Sequence, residues 1–133
     1  MQALAALAGL VAAVVSWLIN GKLIAAFGKE KTVIFTGPAV EELLKTGFAL
    51  ALASPVIISH IAFGVAEAIW ELYAYKRGVV AGFFAVLTHA LYGVVTVLAI
   101  ERVGAYAAPL LAYIVHMFWN YGVIYYQKLV GQN

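Results

Sequence analysis

The sequence predicts an all-α fold, a polytopic bundle of about five transmembrane helices in a single domain over residues 1–133. Of the residues, 65% are hydrophobic and only 11% are charged, whereas a soluble chain this short needs far more polar surface to cover its core. Apolar runs long enough to cross a hydrocarbon core recur along the chain, separated by short polar breaks. The expected location is therefore an integral, multi-pass membrane one, with the lipid bilayer as a partner. A net charge of +2 without a basic tract argues against nucleic acid.

The predicted helices cover about residues 3–20, 33–53, 55–75, 79–100 and 104–128. The first apolar run lacks the basic start of a signal peptide and is long enough to span, so we interpret it as a retained helix. The polar segment NGKLIAAFGKEK then predicts a connection. Pro38 is expected to kink the start of the second helix or to mark its first turn.

The remaining boundaries follow from proline and from charged pairs. The second helix is expected to end before Pro55, because the residue that precedes proline is driven out of the helical region. Lys76-Arg77 and Glu101-Arg102 interrupt the apolar pattern after the third and fourth helices. The short connections predict that sequence neighbours are antiparallel neighbours in space.

Basic residues predict the orientation in the membrane. The first connection, the third connection and the C-terminal tail fall on one side if there are five spans. That side collects six basic residues and the other side collects one; the six are Lys22, Lys29, Lys31, Lys76, Arg77 and Lys128. Because Lys and Arg concentrate in cytoplasmic loops, the N-terminus is predicted outside and the C-terminus in the cytoplasm.

Polar side chains of four predicted helices fall at one depth. At about 1.5 Å per residue they lie about 12–18 Å from the cytoplasmic edge; they are Glu41, Glu42, Glu67, His89, His116 and Asn120. A charge at this depth costs about 2.5–3.5 kcal/mol on insertion scales. Several such residues at one level therefore predict a shared interior site.

Helical spacing places further residues beside this layer. Lys45 follows Glu41 by four residues and Glu42 by three, so it can pair with either. Phe63 and Glu71 share a helix face with Glu67.

Taken singly, these residues also have purely structural explanations. A Glu42–Lys45 pair can be a packing ion pair. Glu71 can lie near the cytoplasmic interface or pair with Lys76. His60 is expected near the outer edge, as an inter-helix hydrogen bonder remote from the site.

Four short segments resemble the motifs of the PrsW and CAAX-endopeptidase families of intramembrane proteases. They occur in family order, one per helix: EELLK (41–45), FGVAEAIWE (63–71), THALYG (88–93) and HMFWN (116–120). The resemblance implies a glutamate-type intramembrane protease that needs no cofactor and acts on a membrane-anchored peptide or protein. It implies catalytic roles for Glu41, Glu42, Glu67, His89, His116 and Asn120, with Lys45, Phe63 and Glu71 in support.

The residue types in this layer suit hydrolysis by an activated water. Either Glu41 or Glu42 can supply the general base, because two close carboxylates in a low dielectric do not both ionise cheaply. His89 or His116 can orient the water or donate to the oxyanion, and Asn120 is a neutral donor for the oxyanion. The layer holds no serine or cysteine, which disfavours a covalent route.

Two other classes use the same residues. Glutamate and histidine on facing helices can bind a divalent metal, although the sequence lacks the HExxH pattern of zinc proteases. Intramembrane acids also mark proton or small-cation pathways. Small residues on the first helix, Ala5, Gly9 and Ala13, would allow a homodimer.

Overall fold

The computed structural model describes residues 1–74 and 78–131, and it confirms the all-α bundle. In chain order the elements are α1 (Gln2–Phe27), α2 (Lys29–Lys31), a π-helical turn (Thr32–Thr36), α3 (Gly37–Ala51), α4 (Val56–Ala74), α5 (Gly78–Val103) and α6 (Ala108–Val130). Within these two ranges, three helices are long and apolar enough to cross a membrane, namely α1, α4 and α5. These lengths and compositions give the chain the character of a helical membrane protein.

The first helix runs seven residues further than the sequence suggested and ends at Phe27 instead of near residue 20. The Asn20-Gly21-Lys22 segment does not break it, because the apolar residues that follow continue the helix. The break comes at Gly28, whose φ of +84° lies in the left-handed region that favours glycine. The predicted connection is therefore reduced to that one glycine, and Asn20 lies inside a helix.

A widened, π-helical turn precedes Pro38, which lies in the first turn of α3, one of the two positions predicted for it. Proline has no N–H and its ring clashes with the carbonyl four residues earlier. The chain relieves this clash with a π-helical turn, in which Gly37 N–H donates to the Thr32 carbonyl. In the same pattern the partner of the Val33 carbonyl would be the nitrogen of Pro38, which carries no hydrogen. That carbonyl is therefore left for a partner from outside the helix.

Helices α4 and α5 pack antiparallel, with Gly64 beside His89 and Gly93 beside His60, whereas α1 and α4 run in the same direction. The most extensive contact joins α4 to α5; α1 packs on α4 and α3, and α6 packs on α5 and α3. The last helix begins four residues later than predicted, because Gly104 ends α5 with a φ of +87° and Pro109 occupies the first turn of α6. The predicted break at Lys76 and Arg77 lies outside the described residues.

Small residues set the close approach of the helices around α4. A Cβ at Gly9 of α1 would collide with the Ser59 carbonyl of α4, and one at Gly64 of α4 would lie 2.9 Å from the Cβ of His89. Ala5 and Gly9, which were expected to allow a homodimer, are buried within the chain against this packing. The small face of α1 therefore lets α4 approach α1 closely, and Gly64 of α4 lets it approach α5.

Candidate active site

A buried ion pair forms the centre of the polar layer. Glu42 and Lys45 are both fully buried, and Lys45 Nζ donates to Glu42 Oε1 at 2.6 Å. The same ammonium donates to His89 Nδ1 at 2.9 Å and lies 4.5 Å from the centroid of the Phe63 ring. Two of its hydrogens are bonded, and its charge faces the electron-rich side of an aromatic ring. Lys45 thus pairs with Glu42 rather than with Glu41.

The donors and acceptors in this network assign the tautomer of His89 and place a proton on Nδ1 of His116. An ammonium only donates, so His89 Nδ1 accepts from Lys45 and the ring proton lies on Nε2. That proton is donated to Glu67 Oε2 at 2.5 Å. A glutamate that pairs with Lys45 only accepts, so His116 Nδ1 donates to Glu42 Oε1 at 2.8 Å. In the neutral form of the ring, His116 Nε2 is then the acceptor.

The two adjacent glutamates occupy different environments. The side chain of Glu42 is fully buried, whereas that of Glu41 is 16% exposed. Asn20 Nδ2 of α1 donates to Glu41 Oε1 at 3.1 Å. The other oxygen, Glu41 Oε2, lies 3.9 Å from His116 Nε2. Glu42 is thus a fixed partner within the network, and Glu41 is the glutamate of this pair that faces open space.

Two cavities reach this network. The first, of about 730 Å³, lies between α4, α5 and α6 and is lined by Glu67, His89, Tyr92, His116 and Asn120, among others. The second, of about 530 Å³, lies between α1, α3 and α4, and its lining includes Asn20, Glu41 and Glu67. The side chain of Glu67 is 42% exposed and lines both. Both cavities extend toward the end of the bundle at which α1, α4 and α6 finish.

The structure brings most of the sequence-predicted residues into one contiguous network. It contains Glu41, Glu42, Glu67, His89, His116, Lys45 and Phe63. The other two predicted residues, Asn120 and Glu71, lie at the margin of the network and line the first cavity. Asn120 Nδ2 donates to the Val33 carbonyl at 2.8 Å, the carbonyl left without a helical partner by Pro38. Glu71 lies one turn beyond Glu67 and lines both cavities.

His60 contacts the network, so its expected remoteness from the site is wrong, whereas its expected role as a hydrogen bonder between helices fits its contact with Thr46 of α3. It is fully buried, with Nε2 3.3 Å from Thr46 Oγ1 and Nδ1 3.7 Å from Glu42 Oε2. The signal was present in the sequence: His60 precedes Glu67 by seven residues, two helical turns along the same face.

Sequence reasoning also missed Tyr92 and Asn20. The Tyr92 ring stacks on His116 with centroids 4.4 Å apart, and its buried hydroxyl has no hydrogen-bond partner among the described residues. Tyr92 follows His89 by three residues, a spacing that places both on one face. Asn20 was hidden because the end of α1 was placed too early.

The arrangement does not form a ready metal centre. Within residues 1–74 and 78–131, no three histidine or glutamate side chains are placed to hold a metal ion together.

The chain matches no protein-family model, no curated protein and no solved structure.

Proposed function

We propose that the chain is an intramembrane peptidase in which Glu41 and His116 hold and activate a water molecule. The observation that carries this proposal is the 3.9 Å between Glu41 Oε2 and His116 Nε2, both of which can accept a hydrogen bond. If a water oxygen lay about 2.8 Å from each atom, the angle at that oxygen between the two acceptors would be about 90°. That angle is close to the one between the two O–H bonds of water, so one molecule can donate to both acceptors and present a lone pair to a substrate.

Glu42 and Lys45 act as the support of this pair. The bond from His116 Nδ1 to Glu42 fixes the ring so that Nε2 faces Glu41, as the buried carboxylate of a catalytic triad orients its histidine. Lys45 supplies the counter-charge that keeps Glu42 ionised in the interior. Glu42 is then an orienting group, and Glu41 is the general base.

The proposed reaction balances as a simple hydrolysis. Glu41 takes one proton from the water while the water oxygen bonds to the scissile carbonyl carbon, and a tetrahedral oxyanion forms. When the C–N bond breaks, that proton passes to the leaving nitrogen, and the products are an acid and an amine. Asn120 lines the first cavity and retains a second Nδ2 hydrogen, so it is the candidate oxyanion donor there.

The motif resemblance and the basic-residue pattern complete the proposal. Both cavities extend toward one end of the bundle. If the chain has five spans with the N-terminus outside, that end lies on the cytoplasmic side. The substrate class is then a membrane-anchored peptide or protein cut within reach of the cytoplasm. The order of the four motifs supports membership of the PrsW or CAAX type.

A proton pathway is the second candidate, and one observation favours it. Hydrogen bonds run without a gap from His116 through Glu42, Lys45 and His89 to Glu67. Both cavities, however, extend toward the same end of the bundle. A route across the membrane needs access from both ends, so the geometry supports chemistry in the cavities over transport.

The test is cleavage of a library of membrane-anchored peptides by the purified chain, with products mapped by mass spectrometry. We expect defined cuts by the wild type and none by Glu41→Gln or His116→Gln. Glu101→Gln is the matched control, because it makes the same change on an exposed residue near the end of α5. Proton flux through liposomes without any peptide cleavage would reject the peptidase proposal in favour of transport.

A further inference from the structure

The second cavity has a strongly acidic lining. Of the described residues that line it, those with a charged side chain are all glutamates: Glu41, Glu67 and Glu71. The partners of the first two within the network are neutral, since Asn20 donates to Glu41 and the neutral His89 donates to Glu67. Carboxylates that line one cavity repel one another, and a positive charge placed between them relieves that repulsion.

Two buried polar atoms without partners belong to residues that line the same cavity. Ser16 of α1 is 1% exposed, lines the cavity, and has no partner for Oγ among the described residues. Asn20 lines it too, and with Nδ2 committed to Glu41 its Oδ1 remains a buried acceptor without a donor in the same part of the chain. A buried polar atom without a partner costs free energy, so each of these atoms would gain from a donor brought to the wall of the cavity.

Aromatic rings form the sides of this cavity. Trp17 of α1 and Trp70 of α4 lie with centroids 6.0 Å apart, and both line it together with Phe63. Rings of this kind attract an ammonium or guanidinium group through their faces and cover its apolar stem. Carboxylates, unpaired acceptors and aromatic faces in one cavity share a preference for an organic cation.

We propose that the cavity between α1, α3 and α4 is a subsite for the basic side chain, lysine or arginine, of the substrate. This inference rests on the proposed function, because it assigns a substrate residue to a cavity that Glu41 shares with the reaction site. Membrane-anchored proteins concentrate Lys and Arg at the cytoplasmic ends of their spans. A substrate that enters from that end would present such a side chain at the depth of the cavity.

The first measurement is binding, which does not depend on turnover. The probes are anchored peptides with one lysine moved along the cytoplasmic-side segment, each matched by a norleucine peptide of similar shape without the charge. Binding is followed by the fluorescence of Trp17 and Trp70 in a Trp119→Phe background. We expect the best lysine peptide to bind about tenfold more tightly than its norleucine match, as suits a desolvated cation over aromatic rings.

Variants test which residues of the cavity produce the preference for lysine over norleucine peptides. Glu71→Gln and Ser16→Ala should lose most of the lysine preference while keeping the affinity for the norleucine peptide, and Glu101→Gln should keep both. Equal affinity for lysine and norleucine peptides at every position would overturn the subsite, whether or not the peptides are cut. A lysine preference that disappears in Glu71→Gln, without cleavage of any peptide, would uphold the subsite and reject the peptidase proposal.

Discussion

The two adjacent glutamates are expected to contribute very differently to stability. Glu42→Gln removes the counter-charge of Lys45, which is itself fully buried. Loss of one partner of a buried ion pair typically costs about 3–5 kcal/mol, because the other charge stays in a low dielectric. Glu41→Gln keeps an oxygen that can accept from Asn20 in a partly exposed position, so its effect should stay within about 1 kcal/mol.

The assay is unfolding in mixed micelles with increasing SDS, followed by far-UV circular dichroism. The double variant Glu42→Gln/Lys45→Met removes both charges, so it should be more stable than either single variant, with a large coupling energy. Equal loss of stability in Glu41→Gln and Glu42→Gln, or simple additivity in the double variant, would refute the assignment of Glu42 as the buried partner of Lys45.

Three further outcomes follow from the packing and the topology. Gly64→Ala should separate α4 from α5 and cost about 1–3 kcal/mol in the same SDS titration; no change would show that the helices do not approach as described. Asn120→Ala should cost about 1–3 kcal/mol, because the carbonyl beside the π-helical turn is left unpaired, and Asn120→Asp, whose carboxylate cannot donate, should not rescue it. Because the native chain has no cysteine, a single cysteine introduced at Gln2 or at Gln132 can be labelled specifically. In spheroplasts, the predicted topology requires an impermeant maleimide to react with the cysteine at Gln2 and not with the one at Gln132. The opposite labelling would invert the topology.

The bundle and its polar layer could be predicted from the sequence because both depend on simple regularities. Apolar runs of the right length predict helices, and the rise per residue converts sequence position into depth. The helical repeat then places Glu67 and Glu71 on one face of α4. Properties of this kind belong to single helices and need no knowledge of the neighbours.

The division of labour between Glu41 and Glu42 could not be predicted in this way. Lys45 has a permitted helical spacing to both, and the choice depends on where α5 places His89 and where α6 places His116. The rotation of one helix against another is set by packing that the periodicity of a single helix does not encode.

Asn20 and His60 were misplaced for different reasons. Asn-Gly-Lys has the composition of a connection, yet α1 continues through it and brings Asn20 to Glu41. His60 was assigned a depth without its helix face, although its spacing to Glu67 places it toward the interior. Lys76 and Arg77, on which part of the predicted topology rests, lie outside the described residues.

The central claim is that Glu41 and His116 together activate water. It is tested most directly by the single-turnover rate constant for cleavage of the best anchored peptide, measured with the wild type, Glu41→Gln and the Glu101→Gln control in protein that retains native helicity. We expect this rate constant to fall at least about 10²-fold in Glu41→Gln, as is typical of a missing general base, and to be unchanged in the control. A Glu41→Gln rate equal to that of the wild type would contradict it.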